Sequence, residues 1–145
     1  MSLATPRLQR IADLRRRDSD RAAAEWVAAR DGVQSAQGQL AELQRYAAEY
    51  GARPLAQSVW QIQARRAFSD RLTAAQQQQQ QRIARAERQA LQAQIEFQRA
   101  QTVSQSLHRA ADHQRQQLQL ARDRRQQSID DDRGFGRVMA WISGG

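Results

Sequence analysis

The sequence predicts an all-α protein: two long helices folded into an antiparallel coiled-coil hairpin, the second helix overhanging the first. Three observations predict it. Ala (26), Gln (26) and Arg (23) fill 75 of the 145 positions, and all three tolerate helix well. Large apolar residues number only 32, too few for a thick core and enough for a thin seam. Those apolar residues also recur in steps of three and four, the period of helices that pack on one another.

The first helix is expected over 7–50. Thr5 before Pro6 reads as an N-cap followed by proline at the first helical position. Ala22, Trp26, Ala29, Val33, Ala36, Leu40, Leu43, Ala47 and Tyr50 alternate in steps of four and three without a slip. Gly32 and Gly38 lie inside, each costing ~1 kcal/mol relative to Ala, so this arm is the softer one. A turn over 51–54 follows, with Gly51 as the C-terminal glycine and Pro54 as a second helix start.

The second helix is expected over 55–133, because Leu55 to Arg133 contains neither Gly nor Pro. Its seam runs Leu72, Gln76, Gln79, Ile83, Ala86, Ala90, Ala93, Phe97, Ala100, Ser104, Leu107, Ala111, Gln114, Leu118 and Ala121. Ahead of Leu72 the phase differs, and Leu55, Val59, Ile62 and Phe68 point to a stutter or local unwinding. The six glutamines Gln76–Gln81 read as a helical low-complexity stretch where the seam is weakest. Pairing that zips from the turn reaches Gln98, which leaves Arg99–Arg133 without a partner in the chain. Asp130, Asp131 and Asp132 sit where the helix dipole disfavours anions and are expected to end the helix. Gly134 and Gly136 then open an apolar tail, 134–145, expected to be a docking tail or flexible, carrying Phe135, Val138, Met139, Trp141 and Ile142.

Composition excludes several chemistries. Without cysteine there is no disulfide, thiolate zinc site or cysteine nucleophile, and without lysine no P-loop lysine and no Schiff base. His108 and His113 are five apart and do not share a helix face, and Asp112 beside His113 points elsewhere. No catalytic, metal or cofactor-binding residues are therefore assigned, and the chain is expected to act through its surface. No run approaches the roughly 18 apolar residues of a membrane span. The N-terminus lacks the apolar stretch of a signal peptide, so a cytoplasmic location is expected.

The net charge is +8. Between Arg65 and Arg88 six Arg face only Asp70 and Glu87, a belt that would attract an acidic surface or remain a solvated helix face. Nucleic-acid binding is disfavoured, because 15 acids interleave with the 23 Arg and Phe, Trp and Tyr total eight, with no binding module visible.

The block Leu40-Ala41-Glu42-Leu43-Gln44-Arg45-Tyr46-Ala47-Ala48-Glu49-Tyr50 before the turn, followed by Trp60, Phe68, Leu72, Ala75 and a Gln-rich helix, resembles the FliJ family of the bacterial flagellar type III export apparatus. The resemblance covers residues 7–133. It implies a non-enzymatic protein of flagellum biogenesis, cytoplasmic and peripheral to the membrane at the flagellar base. Its implied partners are the pore of the hexameric export ATPase FliI, the cytoplasmic domain of the export gate protein FlhA, and substrate chaperones. It implies no cofactor, no nucleic acid, and contact with the membrane only through the gate.

The family's gate-contact stripe falls on Phe68, Leu72, Ala75 and Gln79, with Gln79 standing where the family has histidine. These residues follow i, i+4, i+7, i+11 on one helix face. Leu72 and Gln79 also belong to the seam, so hairpin core is the competing reading. For the ATPase contact the candidates are Leu8, Ile11, Leu14, Arg15, Arg16 and Arg17 with Leu107 and Leu118. The equivalent stalk of a virulence injectisome and a generic coiled-coil scaffold are the other readings.

Overall fold

The computed structural model describes residues 4–54 and 58–144. Two helices account for them: α1, Ala4–Gly51, and α2, Val59–Gly144. The molecule is an all-α helical hairpin, and no strand occurs among the described residues. The chain divides into two compact units, Asp18–Ala100 and Met1–Arg17 with Gln101–Gly145.

In the first unit the turn-proximal parts of α1 and α2 run antiparallel. Tyr46 and Tyr50 meet Phe68 with ring centroids 6.2 and 4.5 Å apart. Further along, the Gln79 amide crosses to α1, and Trp26 stacks on Phe97 at 5.6 Å. All nine seam positions of α1, from Ala22 to Tyr50, are half-buried. On α2 the positions from Leu72 to Ala100 are half-buried or buried, with Ile83 the most covered apolar side chain of this unit. The three-four period therefore marks the packed stripe on both helices.

In the second unit Ala12 and Ala111 are 0% and 1% exposed, and Ser104 is buried. His108 Nδ1 donates to the Ser104 carbonyl at 2.9 Å, and its Nε2 faces Asp13 Oδ1 at 3.6 Å. When the imidazole is protonated that contact is an ion pair between α1 and α2. Packing of α2 on α1 continues to Leu118, which is half-buried, whereas every residue from 119 to 144 is exposed. The unpartnered stretch is thus 119–144 rather than the Arg99–Arg133 expected. Tyr50 at the end of α1 meets Phe68, nine residues into α2. That register carries α1 further along α2 than zipping from Pro54 would.

Several expected boundaries move. The N-cap expected at Thr5 is already helical backbone, because α1 begins at Ala4. Pro6 lies within the first turn, where a missing N–H leaves nothing unsatisfied. Gly51 has no positive φ. α1 instead ends through Ala52 N–H to the Ala48 carbonyl (3.1 Å) and a tightened Arg53 N–H to the Tyr50 carbonyl (3.3 Å). Leu55, where the second helix was expected to start, lies outside the described residues, and α2 begins at Val59 behind a capping box. Ser58 Oγ accepts from Gln61 N–H at 3.1 Å, and Gln61 Oε1 accepts from Ser58 N–H at 3.4 Å, which satisfies two orphan donors reciprocally.

α2 is continuous helix from Val59, so no local unwinding precedes Leu72, and Val59 and Ile62 are exposed. Nor does α2 end at Asp130–Asp132 or at Gly134. It runs to Gly144, so the described residues of the expected tail are helical. A solvent-facing glycine costs a helix only ~1 kcal/mol, which weakens it without terminating it, and no proline follows.

Gly32 and Gly38 have helical φ, and a Cβ built on either meets nothing within 4 Å. Gly32→Ala with Gly38→Ala should therefore stabilise the protein by about 1–2 kcal/mol in total, chiefly by restricting the unfolded chain. Thermal unfolding followed by circular dichroism checks this, with a rise in midpoint expected.

Candidate functional site

The turn-proximal end of the first unit is organised by Arg65. α1 has no basic residue in its last turn, so its C-terminal carbonyls receive no cation from within the helix. Arg65 supplies one from α2. Its Nη1 donates to the Pro54 carbonyl at 3.0 Å. Its Nη2 approaches the carbonyls of Gly51 (2.9 Å), Arg53 (3.1 Å) and Tyr50 (3.4 Å). The Tyr50 ring is flanked by the guanidinium groups of Arg53 and Arg65, at 5.2 and 5.9 Å from its centroid, with Phe68 against it.

Arg65→Ala should cost about 1–2 kcal/mol, the scale of a charge-assisted hydrogen-bond set that is partly open to water. Amide exchange over 48–54 should quicken, and Arg65→Lys should not restore protection, because a point charge cannot span the four carbonyls.

The expected gate-contact residues start with Phe68 beside this clamp and run along α2 to Gln79, on the face that meets α1. Phe68, Leu72 and Ala75 are half-buried, each with an edge open to solvent. Gln79 is 4% exposed. Its Nε2 donates to the Ala36 carbonyl at 2.9 Å and to Gln39 Oε1 at 3.0 Å. The polyglutamine stretch is thus held across the seam at Gln79 by hydrogen bonds to α1. Just N-terminal, Val59, Trp60 and Ile62 are 71%, 75% and 54% exposed.

The ATPase-contact candidates lie in the second unit and divide by face. Leu8, Leu107 and Leu118 are half-buried in the seam. Ile11 and Leu14 are 41% and 56% exposed, and Arg15, Arg16 and Arg17 are exposed beside them. About two turns of α1 therefore present two apolar side chains followed by three guanidinium groups to solvent.

Sequence reasoning missed Arg65, Ser58 and the Asp13–His108 contact. Ser58-x-x-Gln61 was a readable capping signal. The other two depend on which residues the hairpin register brings together. Among the described residues there is no group of three or more His, Asp or Glu able to hold a metal ion, and no helix long and apolar enough to cross a membrane.

No curated protein and no solved structure matches the chain. One family model does, that of the flagellar FliJ protein, over residues 4–133.

Proposed function

The chain belongs to the flagellar FliJ protein family, a component of the flagellar type III export apparatus, and from that premise we propose that it is a stalk linking the export ATPase to the export gate. The observation that carries this reading is the family match over nearly the whole length of both helices, joined to a surface that offers two distinct contact regions. Arg15, Arg16 and Arg17 with Ile11 and Leu14 meet the pore of the ATPase hexamer, where exposed guanidinium groups pair with carboxylates and the two apolar side chains are covered. At the turn-proximal end, the open edges of Phe68, Leu72 and Ala75 meet the gate's cytoplasmic domain. Gln79, on the same face, ties α2 to α1 through its bonds to Ala36 and Gln39. The protein works at the cytoplasmic face of the membrane, and none of its described helices is long and apolar enough to cross it. It acts by contact rather than catalysis and passes substrate chaperones between the two partners.

The test is a titration of the intact chain into the purified flagellar export ATPase. ATP turnover should rise and saturate at a small number of chains per hexamer. Arg15→Glu with Arg16→Glu and Arg17→Glu should weaken the half-maximal concentration by ten-fold or more, because like charges then face one another across the contact. Turnover unchanged at saturating wild-type chain would overturn the ATPase half of the proposal.

A further inference from the structure

The seam of α2 does not stop where α1 stops covering it. From Leu118 the same three-four phase continues through Ala121, Arg125, Ser128, Asp132, Phe135, Met139 and Ile142, all on unbroken helix. Past Leu118 every one of these side chains is exposed. Phe135, Met139 and Ile142 are 68%, 50% and 60% exposed, with Val138 beside them at 55%. An apolar stripe at i, i+3, i+4, i+7 is the mark of a helix face that packs on another helix.

The charges say which helix. The half nearer α1 carries Arg122, Arg124 and Arg125 against Asp123, a net +2. The half beyond it carries Asp130, Asp131 and Asp132 against Arg133 and Arg137, a net −1. The two halves of one segment therefore have opposite sign and are complementary to themselves when reversed. Laid antiparallel so that Arg125 faces Asp132 of a second copy, the segment also sets Leu118 opposite Met139 of the second copy. In the same register Ala121 and Arg122 face Phe135 of the second copy, and every such contact occurs twice, as an isologous interface requires. Gly134 and Gly136 flank Phe135, and a Cβ on either would meet nothing within 4 Å, so a neighbouring helix can approach closely there.

We propose that residues 118–142 of α2 form an antiparallel coiled coil with the same segment of a second copy of this chain, with Asp132 seated opposite Arg125 of the second copy and Asp131 within one turn of its Arg124.

The experiment is sedimentation equilibrium of the intact chain. A reversible monomer–dimer equilibrium is expected below about 100 μM, the affinity range of a short two-helix contact, and it should weaken as salt is raised. Asp130→Arg, Asp131→Arg and Asp132→Arg together should weaken self-association at least ten-fold. Arg122→Asp, Arg124→Asp and Arg125→Asp together should do the same. An equimolar mixture of the two variants should regain dimer, which a variant that had merely lost its helix could not do. Three outcomes overturn the proposal: a chain monomeric at about 100 μM, association indifferent to both charge reversals, or variants that fail to pair when mixed. A monomer whose Phe135, Met139 and Ile142 are instead needed for binding the export ATPase assigns the face to that partner and also overturns it.

Discussion

Phe68→Ala should lower the unfolding midpoint by about 10 °C. The ring is half-buried between α1 and α2, 4.5 Å from Tyr50 and 6.2 Å from Tyr46. Truncating a fully buried Phe costs ~3–5 kcal/mol. With part of the ring open to water about 2–3 kcal/mol is expected, at roughly 4 °C per kcal/mol for a chain of this size. A residue serving only as an exposed contact would shift stability by no more than about 0.5 kcal/mol. The melt of Phe68→Ala, followed by circular dichroism, therefore separates the two roles that the sequence leaves open for this position. Leu72→Ala should be smaller but of the same sign. Both variants must be compared with wild type at a temperature where each is folded before any loss of gate binding is assigned to contact.

The second large effect lies further along the same unit. Trp26 and Phe97 stack at 5.6 Å with their planes 22° apart, and Arg30 sits 5.0 Å from the Trp26 ring. They are the bulkiest pair in a stretch whose other α2 seam positions include Ala86, Ala90, Ala93 and Ala100. An alanine seam buries little area at ~25 cal/mol per Å², so one aromatic pair carries a large share of the local packing. Trp26→Ala and Phe97→Ala should each cost about 2–4 kcal/mol. The double variant should cost less than their sum by about 0.5–1.5 kcal/mol, the coupling expected of an aromatic pair. Denaturant unfolding of the four proteins measures this directly, and strict additivity would mean that the rings do not interact in solution.

Much of the fold was legible because it rests on a single repeated property. Trp26, Leu40, Leu43 and Tyr50 on α1, and Leu72, Ile83, Phe97 and Leu107 on α2, lie in the seam because the side-chain period of a packed helix is set by helix geometry itself. The ends were less legible. Pro54 and Gly51 look like a helix start and a helix stop, yet Ser58 with Gln61 starts α2 and Arg65 completes the end of α1. The acceptors of Arg65 lie 11 to 15 residues back along the chain and converge only once the turn has formed. Gly134 and Gly136 read as a stop, but a glycine in solvent only weakens a helix.

The candidate contacts were legible to a lesser degree. A face at i, i+4, i+7, i+11 is the same pattern whether it meets α1 or a partner. Gln79 was placed in the seam by its pattern and is buried there, its side chain just long enough to reach the Ala36 carbonyl. Ile11 and Leu14 were marked by their apolar character alone, and their exposure follows from Leu8 and Ala12 taking the covered positions of that turn.

The central claim is a link between two partners of the export apparatus, and the most direct measurement is co-purification of the intact chain with the export ATPase and, separately, with the cytoplasmic domain of the export gate. Wild type should be retained by both. Phe68→Ala with Leu72→Ala, held below its own unfolding midpoint and helical by circular dichroism, should lose the gate and keep the ATPase. Retention by neither partner would contradict the stalk role. Loss of both by the double variant while it stays helical would contradict the assignment of separate contact regions.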